Sequence, residues 1–332
     1  LRWLILTDNC ISELPEELGK RPLLQKLMLA GNRLTALPQS LGQCHNLELL
    51  RIAANQLREL PPFLLALPRL TWLAYAGNPL ESEADATALA STPSIPWSEL
   101  TLEQRLGEGA SGVIHQAQWQ PAGQPPRAVA VKLYKGEMTS DGSPLHEMNA
   151  CITAGLHPNL IRVEGRIVEH PQAQAGLVME LVDPSYRNLA GLPSLESCSR
   201  DVYADDTRFS ADVALRIARG IASVGEHLHR QGITHGDLYG HNILWNEHGD
   251  CLLGDFGAAS FHATQDSFES RALQRIEVRA FGVLLGELLE RIDSGLSDQA
   301  RERLEDLQRR CCQGDVLARP GFSEIVIELD GF

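Results

Sequence analysis

Three glycines, a lysine and a glutamate in the second half of the chain have the types and spacing of a phosphate-binding site. The glycines are Gly107, Gly109 and Gly112 in LGEGASGVIHQAQW, with β-type residues on both sides. Glycines let a hairpin approach phosphates closely, and Lys132, twenty residues later at the end of AVAVK, would neutralise phosphate charge. Glu147 follows in a helical stretch and would hold Lys132 in place by an ion pair. The pattern favours phosphoryl transfer, which needs positioning and charge neutralisation.

Four further segments follow this site in the chain: GLVMELV at 176–182, ITHGDLYGHNIL, LLGDFG and LARPGFSEI. Together with the glycine loop and AVAVK, their order resembles that of the eukaryotic-type protein kinases. The resemblance spans about 225 residues. It implies a bilobal protein-kinase-like fold for residues 99–332.

The resemblance also implies roles for individual residues. Asp237 would be the base that accepts a hydroxyl proton, while Asn242 and Asp255 would coordinate Mg2+. Met179 would form the back wall of the adenine pocket beside the hinge residue Glu180. Lys132 and Glu147 complete the predicted catalytic set with Asp237. The residues expected to bind ATP are Gly107, Gly109, Gly112, Val113, Lys132, Met179 and Glu180.

The sequence departs from the kinase pattern around the predicted base. Gly236 stands where many protein kinases have arginine, so switching by a phosphorylated activation loop is not expected. Tyr239 stands where Ser/Thr kinases place a lysine, for which His241 or a neighbouring basic group would substitute. Only 22 residues separate Asp255 from Glu277, which occupies a usual aspartate position. The activation segment, which builds the peptide platform, is therefore predicted to be short.

Three functions are compatible with this pattern. The first is an ATP- and Mg2+-dependent protein kinase, Ser/Thr-directed, and DFG, VAVK, HPNLI and the Arg-Pro pair favour it. The second is a small-molecule kinase, because HGD followed by a spaced asparagine is also typical of aminoglycoside and choline kinase-like enzymes. The third is a pseudokinase scaffold that binds ATP without turnover.

The first part of the chain is repetitive. Asn9, Asn32, Asn55 and Asn78 are each 23 residues apart, within LxxLxLxxN units. This period resembles the leucine-rich repeat family, in which the leucines of each unit point inward and stacked units share one core. Leu1 already lies inside a repeat, so the natural chain is expected to extend further N-terminally. The predicted fold class is thus α/β and α+β in two domains, a leucine-rich repeat solenoid followed by a bilobal kinase-like fold.

The residues between the repeat leucines would form the concave face of this solenoid. One row comprises Trp3, Lys26, Leu49 and Trp72, and the next Ile5, Met28, Arg51 and Ala74. Trp3, Met28, Leu49 and Trp72 make the face more apolar than a solvated surface. Either the face packs on a neighbouring domain or on missing repeats, or it binds a partner protein through its tryptophans.

The predicted boundaries place the repeats at 1–90, a linker at 91–98 and the kinase-like domain at 99–332. After Leu80 the repeat pattern gives way to ESEADATALASTPSIPW, which predicts a short helix and a Pro/Ser-containing linker.

Composition excludes several classes of function. The net charge is −14, from 43 Asp and Glu against 29 Lys and Arg, which disfavours nucleic acid and membrane surfaces as partners. No apolar run approaches the length of a membrane span. The 7 cysteines include no CxxC pair, so neither a disulfide framework nor a zinc site is predicted. Because no membrane span separates the two predicted domains, both are expected in the ATP-containing compartment, and we expect a cytoplasmic protein.

Overall fold

The computed structural model describes residues 1–80, 92–136, 138–139 and 141–332. The short helix predicted after Leu80 lies outside the described residues. Within the described part, none of the helices combines the length and apolar character that crossing a membrane requires.

Residues 1–80, hereafter the repeat module, contain a parallel four-stranded sheet in sequence order. Each strand pairs with the next in a 23-residue register, for example Leu27 with Leu50 and Leu50 with Leu73. Short 3-10 helices at Glu16–Lys20, Gln39–Gln43 and Leu64–Ala66 follow the first three strands and stack on each other. The strands are β1 (Trp3–Ile5), β2 (Lys26–Met28), β3 (Leu49–Arg51) and β4 (Trp72–Ala74).

The periodic asparagines connect adjacent units of the module. The buried Asn55 side chain donates to the carbonyls of Leu29 at 3.0 Å and Ile52 at 3.1 Å, and it accepts from the Leu34 amide at 3.0 Å. Asn32 makes equivalent bonds one unit earlier. Because an amide side chain is both donor and acceptor, one asparagine satisfies backbone groups of two units at once.

The second unit begins with a six-stranded sheet in the order β5-β9-β10-β8-β7-β6. This sheet and helix α1 (Pro144–Ala154) form the small lobe. Ile95 is buried in the small-lobe core, so Ser94–Pro96, within the predicted 91–98 linker, form a strand that pairs with β9. The strands are β5 (Ser94–Pro96), β6 (Leu100–Glu108), β7 (Gly112–Trp119), β8 (Arg127–Tyr134), β9 (Val163–Val168) and β10 (Gly176–Glu180).

Residues 187–332 form a mainly helical large lobe. Its helices are α2 (Ala211–Arg230), α3 (Phe268–Leu289), α4 (Asp298–Cys311) and α5 (Phe322–Leu329). Helix α2 packs against α3 and α5 in the core. The short strands are β11 (Arg187–Asn188), β12 (Phe209–Ser210), β13 (Ile233–Thr234), β14 (Ile243–Trp245), β15 (Cys251–Leu253), β16 (Ser260–Phe261) and β17 (Ile292–Ser294).

The apolar face of the repeat module packs on the large lobe. Leu49 and Trp72 are 3% and 1% exposed and belong to the large-lobe core, with Met28 packed against it. Trp3, on the edge strand β1, remains half-buried. The expectation that this face anchors a partner protein is therefore wrong for Leu49 and Trp72, because the chain itself covers them. The alternative, packing on a neighbouring domain, is confirmed there.

The module and the large lobe also share a second hydrophobic cluster. The inward leucines of the repeats form one core with Leu273 and Ile276 of α3. The Tyr75 hydroxyl donates to the Phe261 carbonyl at 3.0 Å, and the buried Arg319 guanidinium donates to the Pro68 carbonyl at 2.9 Å. Separating the two units would expose both the apolar cluster and these polar groups to water.

Candidate active site

A buried ion pair joins the small-lobe sheet to helix α1. Lys132 lies on β8, and its ammonium contacts the Glu147 carboxylate in the first turn of α1. Ser143 caps this helix by accepting from the Leu145 amide at 3.4 Å. Burial would lower the pKa of Lys132, but the neighbouring Glu147 carboxylate and Asp255 raise it overall, so the ammonium stays charged.

The glycine-rich segment forms the hairpin between β6 and β7. The Gly109 amide donates to the Gly112 carbonyl at 2.9 Å and closes the turn. A Cβ at Gly112 would lie 2.6 Å from the Leu133 carbonyl oxygen, so only glycine allows β7 to approach β8 this closely. At Gly107 and Gly109 a Cβ would meet no atom within 4 Å, so these two glycines border open space.

A cavity of about 200 Å³ lies beneath this hairpin. Lys132 and Asp255 line it together with Gly109 and Gly112. The structure therefore brings Lys132, two of the three predicted phosphate-binding glycines and one predicted metal ligand to a single opening, which Gly107 does not line.

The predicted adenine-site residues are divided among different surfaces. Met179 lines a smaller apolar cavity of about 90 Å³ behind the Lys132–Glu147 pair. Ile114, which the sequence analysis did not select, lines both cavities, whereas Val113 lines neither. Adjacent strand residues point to opposite faces, which explains the difference. Glu180 is exposed at the end of β10 and borders a separate cavity of about 780 Å³.

Asp237 and Asn242 lie in the loop between β13 and β14 and are hydrogen-bonded to each other. The Asn242 amide nitrogen donates to the Asp237 carboxylate at 2.8 Å and to its carbonyl at 2.9 Å. These two bonds fix the orientation of the Asp237 and Asn242 side chains relative to each other. The Asn242 amide oxygen is left as the group with the chemistry to bind a cation.

Asp255 follows β15 in a left-handed backbone conformation with φ 54° and is exposed. The Gly257 amide donates to its carboxylate at 3.1 Å. Across the described parts of the chain, no three or more His, Cys, Asp or Glu side chains form a cluster able to hold a metal ion. The two predicted metal ligands, Asp255 and Asn242, are both oxygen donors, the ligand type that Mg2+ prefers.

Arg51, from strand β3 of the repeat module, contacts the loop that carries Asp237. Its guanidinium donates to the Asp141 carboxylate at 2.6 Å, to the Gly236 carbonyl at 2.9 Å and to the Asp237 carboxylate. Burial alone would raise the pKa of Asp237, but Arg51 and the nearby His241 lower it overall. Asp237 is therefore held in its ionised form.

His241 is a second basic group beside Asp237. Its ring Nε2 lies 4.0 Å from the Asp237 carboxylate, and its Nδ1 lies 2.6 Å from the carboxylate of Asp201. Burial would lower the pKa of His241, but the hydrogen bond to Asp201 and the charge of Asp237 raise it overall. The sequence analysis considered His241 as a substitute cation but did not identify Asp201.

The departures from the kinase pattern coincide with the docked module. The Tyr239 ring stacks on Trp72 with centroids 4.0 Å apart and is buried. Gly236 has φ 72°, and a Cβ there would lie 2.7 Å from the Leu73 carbonyl oxygen of the module. Glu277 accepts from the Gly236 amide at 2.7 Å and pairs with His229 at 2.8 Å. These residues accommodate the module and support the loop.

The family model for protein tyrosine and serine/threonine kinases matches residues 100–282, more than half of the chain. The chain belongs to the protein kinase family. The match begins at the start of β6 and extends into α3, so it includes every residue predicted here to act on ATP or the acceptor. We call residues 92–332 the kinase domain.

Curated relatives of the kinase domain include several serine/threonine kinases. The chain is 30% identical to serine/threonine-protein kinase mos of Gallus gallus over 187 residues, 50% of this chain and 49% of mos. It is also 30% identical to PkaA of Streptomyces coelicolor over 177 residues, 49% of this chain and 30% of that protein. The chain spans between about a fifth and a half of the length of such relatives.

The sequence analysis did not identify Arg51 as a residue of the kinase site, and only one feature of the sequence sets it apart. It is the single charged residue of its row on the apolar face of the repeats. The repeat period places Arg51 on that face but carries no information about which surface covers it. Its contact with Asp237, which lies 186 positions away in the chain, is set by how the two domains pack.

A buried acid of the kinase domain should make stability depend on pH. The Glu287 carboxylate accepts from the Tyr203 hydroxyl at 3.0 Å, and burial, with the nearby Asp201 charge, raises its pKa to about 7. The folded state then binds a proton that the unfolded state has lost, so stability falls as pH rises from about 4.5 to about 7. In the wild type this group should lower the free energy of unfolding by on the order of 3 kcal/mol over that pH range, and the decrease should be absent in Glu287→Gln.

Urea unfolding of the wild type and Glu287→Gln between about pH 5 and about pH 8 measures this difference. Glutamine keeps an acceptor for Tyr203 and does not ionise. The control is Glu290→Gln, whose side chain is 75% exposed. A wild-type pH dependence that persists unchanged in Glu287→Gln would contradict the assignment.

Proposed function

We propose that this chain is an ATP- and Mg2+-dependent protein kinase that transfers the γ-phosphate to a serine or threonine hydroxyl. The observation that carries the proposal is the convergence of Lys132 and Asp255 on one cavity beneath a glycine hairpin. Membership of the kinase family and the serine/threonine kinases among the relatives support it.

In this proposal Asp237 orients the acceptor hydroxyl and takes its proton. An ionised carboxylate accepts about four hydrogen bonds. Arg51 and Asn242 donate to opposite oxygens of Asp237, so acceptor positions remain. The side chain is 17% exposed, which leaves an approach for the hydroxyl.

The small lobe would bind and orient the nucleotide. Lys132, held by Glu147, presents its ammonium to phosphate oxygens at the cavity. The open space at Gly107 and Gly109 admits phosphates close to the hairpin backbone. Met179 contributes an apolar wall behind the ion pair.

Asn242 and Asp255 are the residues that would hold Mg2+. Their oxygens are hard ligands, and two protein ligands suffice when phosphates supply the others. Bound Mg2+ would neutralise charge on the transferred phosphate. The hydrogen bond from Asn242 to Asp237 couples the position of this ligand to that of the base.

We also propose that the N-terminal units are leucine-rich repeats. The 23-residue strand register, the inward leucines and the shared asparagine bonds support this assignment. In this chain their apolar face packs on the kinase domain at Leu49 and Trp72. We therefore assign the repeats an intramolecular role at that face.

A small-molecule acceptor is the second candidate, because the repeat module covers the large lobe beside the base. Trp72 stacks on Tyr239, and its indole nitrogen donates to the Leu238 carbonyl at 3.0 Å. An extended peptide needs open surface next to Asp237, whereas a small alcohol needs only the opening at the carboxylate. Two classes of acceptor in one assay separate these possibilities.

Labelled ATP with Mg2+ tests the proposal, with the protein alone, with a basic protein and with a panel of hydroxyl-bearing metabolites. We expect label on protein in the wild type and a decrease of about 10²-fold or more in Lys132→Met. Lys20→Met, a change at an exposed lysine of the repeat module, should leave labelling unchanged.

Label confined to a metabolite would replace the protein acceptor by the small-molecule one. Nucleotide binding without labelled product in any mixture would contradict the proposed activity and favour the scaffold. Equal labelling by Lys132→Met would remove Lys132 from the mechanism.

A further inference from the structure

Arg51 is among the largest fully buried side chains of the protein, although it is charged. It is 1% exposed, and its guanidinium contacts two carboxylates and one carbonyl of the kinase domain. Burying a charge is costly unless it is paired and hydrogen-bonded. The kinase domain supplies that pairing through Asp141 and Asp237, so Arg51 is more fully engaged there than within its own module.

Arg51 in turn stabilises the kinase domain, because its guanidinium lies between two acidic groups. Asp141 and Asp237 repel each other, and both are attracted by the guanidinium between them. Asp141 also lines the cavity beneath the glycine hairpin, together with Lys132 and Asp255. Removing Arg51 would leave two mutually repelling carboxylates next to the proposed phosphate site.

The repeat module contacts the kinase domain through close backbone approaches as well as through side chains. A Cβ at Gly236 would lie 2.7 Å from the Leu73 carbonyl oxygen, and a Cβ at Gly142 would lie 3.2 Å from the Ala53 side chain, so the backbones of the two units approach closely at both positions. The hydrophobic cluster shared with α3 continues under the same interface. If Arg51 inhibited the kinase and had to leave Asp237 before each reaction, the repeat module would expose this interface to water in every cycle. The close packing instead favours an Arg51 side chain that stays bound to the Asp237 loop during the reaction.

We infer that Arg51 is a positioning residue of the phosphoryl-transfer site, so that the repeat module completes the kinase active site. The inference rests on the proposed function. Arg51 holds the Asp237 carboxylate and the Gly236 carbonyl with one planar guanidinium, which fixes both the base and the backbone of its loop. Neither domain forms this arrangement alone.

The test compares Arg51→Ala, Arg51→Lys and Arg51→Met in the full chain. We expect Arg51→Ala to lower kcat for phosphate transfer by about 10²-fold, because a displaced catalytic group costs that much, and to leave the nucleotide Kd unchanged. Arg51→Lys should recover part of kcat, since lysine keeps the charge but loses the planar fork. Free guanidinium should restore activity to Arg51→Ala but not to Arg51→Met, whose side chain fills the space.

Arg58→Ala is the matched control, because Arg58 is an exposed arginine of the same module. It should leave kcat unchanged. Melting temperatures of all variants show whether a decrease in kcat comes from unfolding or from a displaced Asp237 in a folded protein. Arg51→Ala activity equal to or above that of the wild type overturns the inference, and a higher activity would make Arg51 an inhibitor.

Hydrogen exchange gives a readout that does not depend on activity. The backbone N–H of Asn242 donates to the Tyr239 carbonyl at 3.1 Å, and the backbone N–H of Asp237 donates to the ring Nδ1 of His235 at 3.3 Å. Arg51→Ala should speed exchange in residues 235–242 by about tenfold while α2 stays protected. Unchanged exchange in this loop overturns the positioning role. Absence of transfer in the wild type, with faster loop exchange in Arg51→Ala, would contradict the proposed function alone.

Discussion

Asp237→Asn is expected to abolish phosphate transfer while leaving nucleotide binding intact. An amide cannot take the proton of the acceptor hydroxyl, and a positioned general base contributes about 10²- to 10⁴-fold to rate. Asparagine keeps the size of the side chain, but its single oxygen can accept from only one of Arg51 and Asn242, because they donate to opposite oxygens of Asp237. The Arg51 bond to the Gly236 carbonyl remains and still holds the loop. The measurement is the rate of label transfer from ATP beside a nucleotide Kd.

The control for this variant is Asp266→Asn, which makes the same chemical change at a side chain that is 76% exposed. It should transfer phosphate at the wild-type rate. If Asp237→Asn turns over as fast as the wild type, Asp237 is not the base. A parallel loss of nucleotide binding would instead indicate that the substitution disturbs the site as a whole.

Trp72→Ala is expected to destabilise the entire chain by about 3 to 5 kcal/mol, the usual range for deleting a fully buried aromatic side chain. Trp72 belongs to the repeat module by sequence and to the large-lobe core by packing. Its loss removes the stack on Tyr239 and the hydrogen bond to the Leu238 carbonyl. Urea unfolding, followed by probes in each domain, measures the change.

Trp3→Ala provides the comparison, since Trp3 lies in the same row but is half-buried on the edge strand β1. We expect a smaller loss of stability there. Because the leucine core of the module includes Leu273 and Ile276 of α3, both domains should unfold in one transition. Separate transitions, with Trp72→Ala shifting neither, would show that the face does not bind the two domains together.

The chemistry of the site was predictable because its residues occur in short motifs with local geometry. The strand that carries Lys132 and the helix that carries Glu147 are adjacent in the chain, and the predicted ion pair forms. The glycine spacing likewise predicts a hairpin, which is present between β6 and β7. The choice of Val113 was less successful, because strand pairing turns the neighbouring Ile114 toward the cavities.

The role of the apolar repeat face could not be predicted from the same information. The 23-residue period identifies which side chains share a face, and both packing and partner binding were compatible with its tryptophans. Gly236 and Tyr239 were evident as departures from the kinase pattern. Their reason is visible only when Leu73 and Trp72 of the module lie against them.

The sequence by itself determined the repeat period, the kinase motifs and the residues with the chemistry for phosphate transfer, because each depends on spacing along a few turns or strands. Only the tertiary structure decided that the repeats pack on the large lobe and that Arg51 reaches Asp237. The physical reason is that docking depends on complementary surfaces distant in the chain. The burial of Trp72 and the pairing of Arg51 with two carboxylates arise from that docking alone.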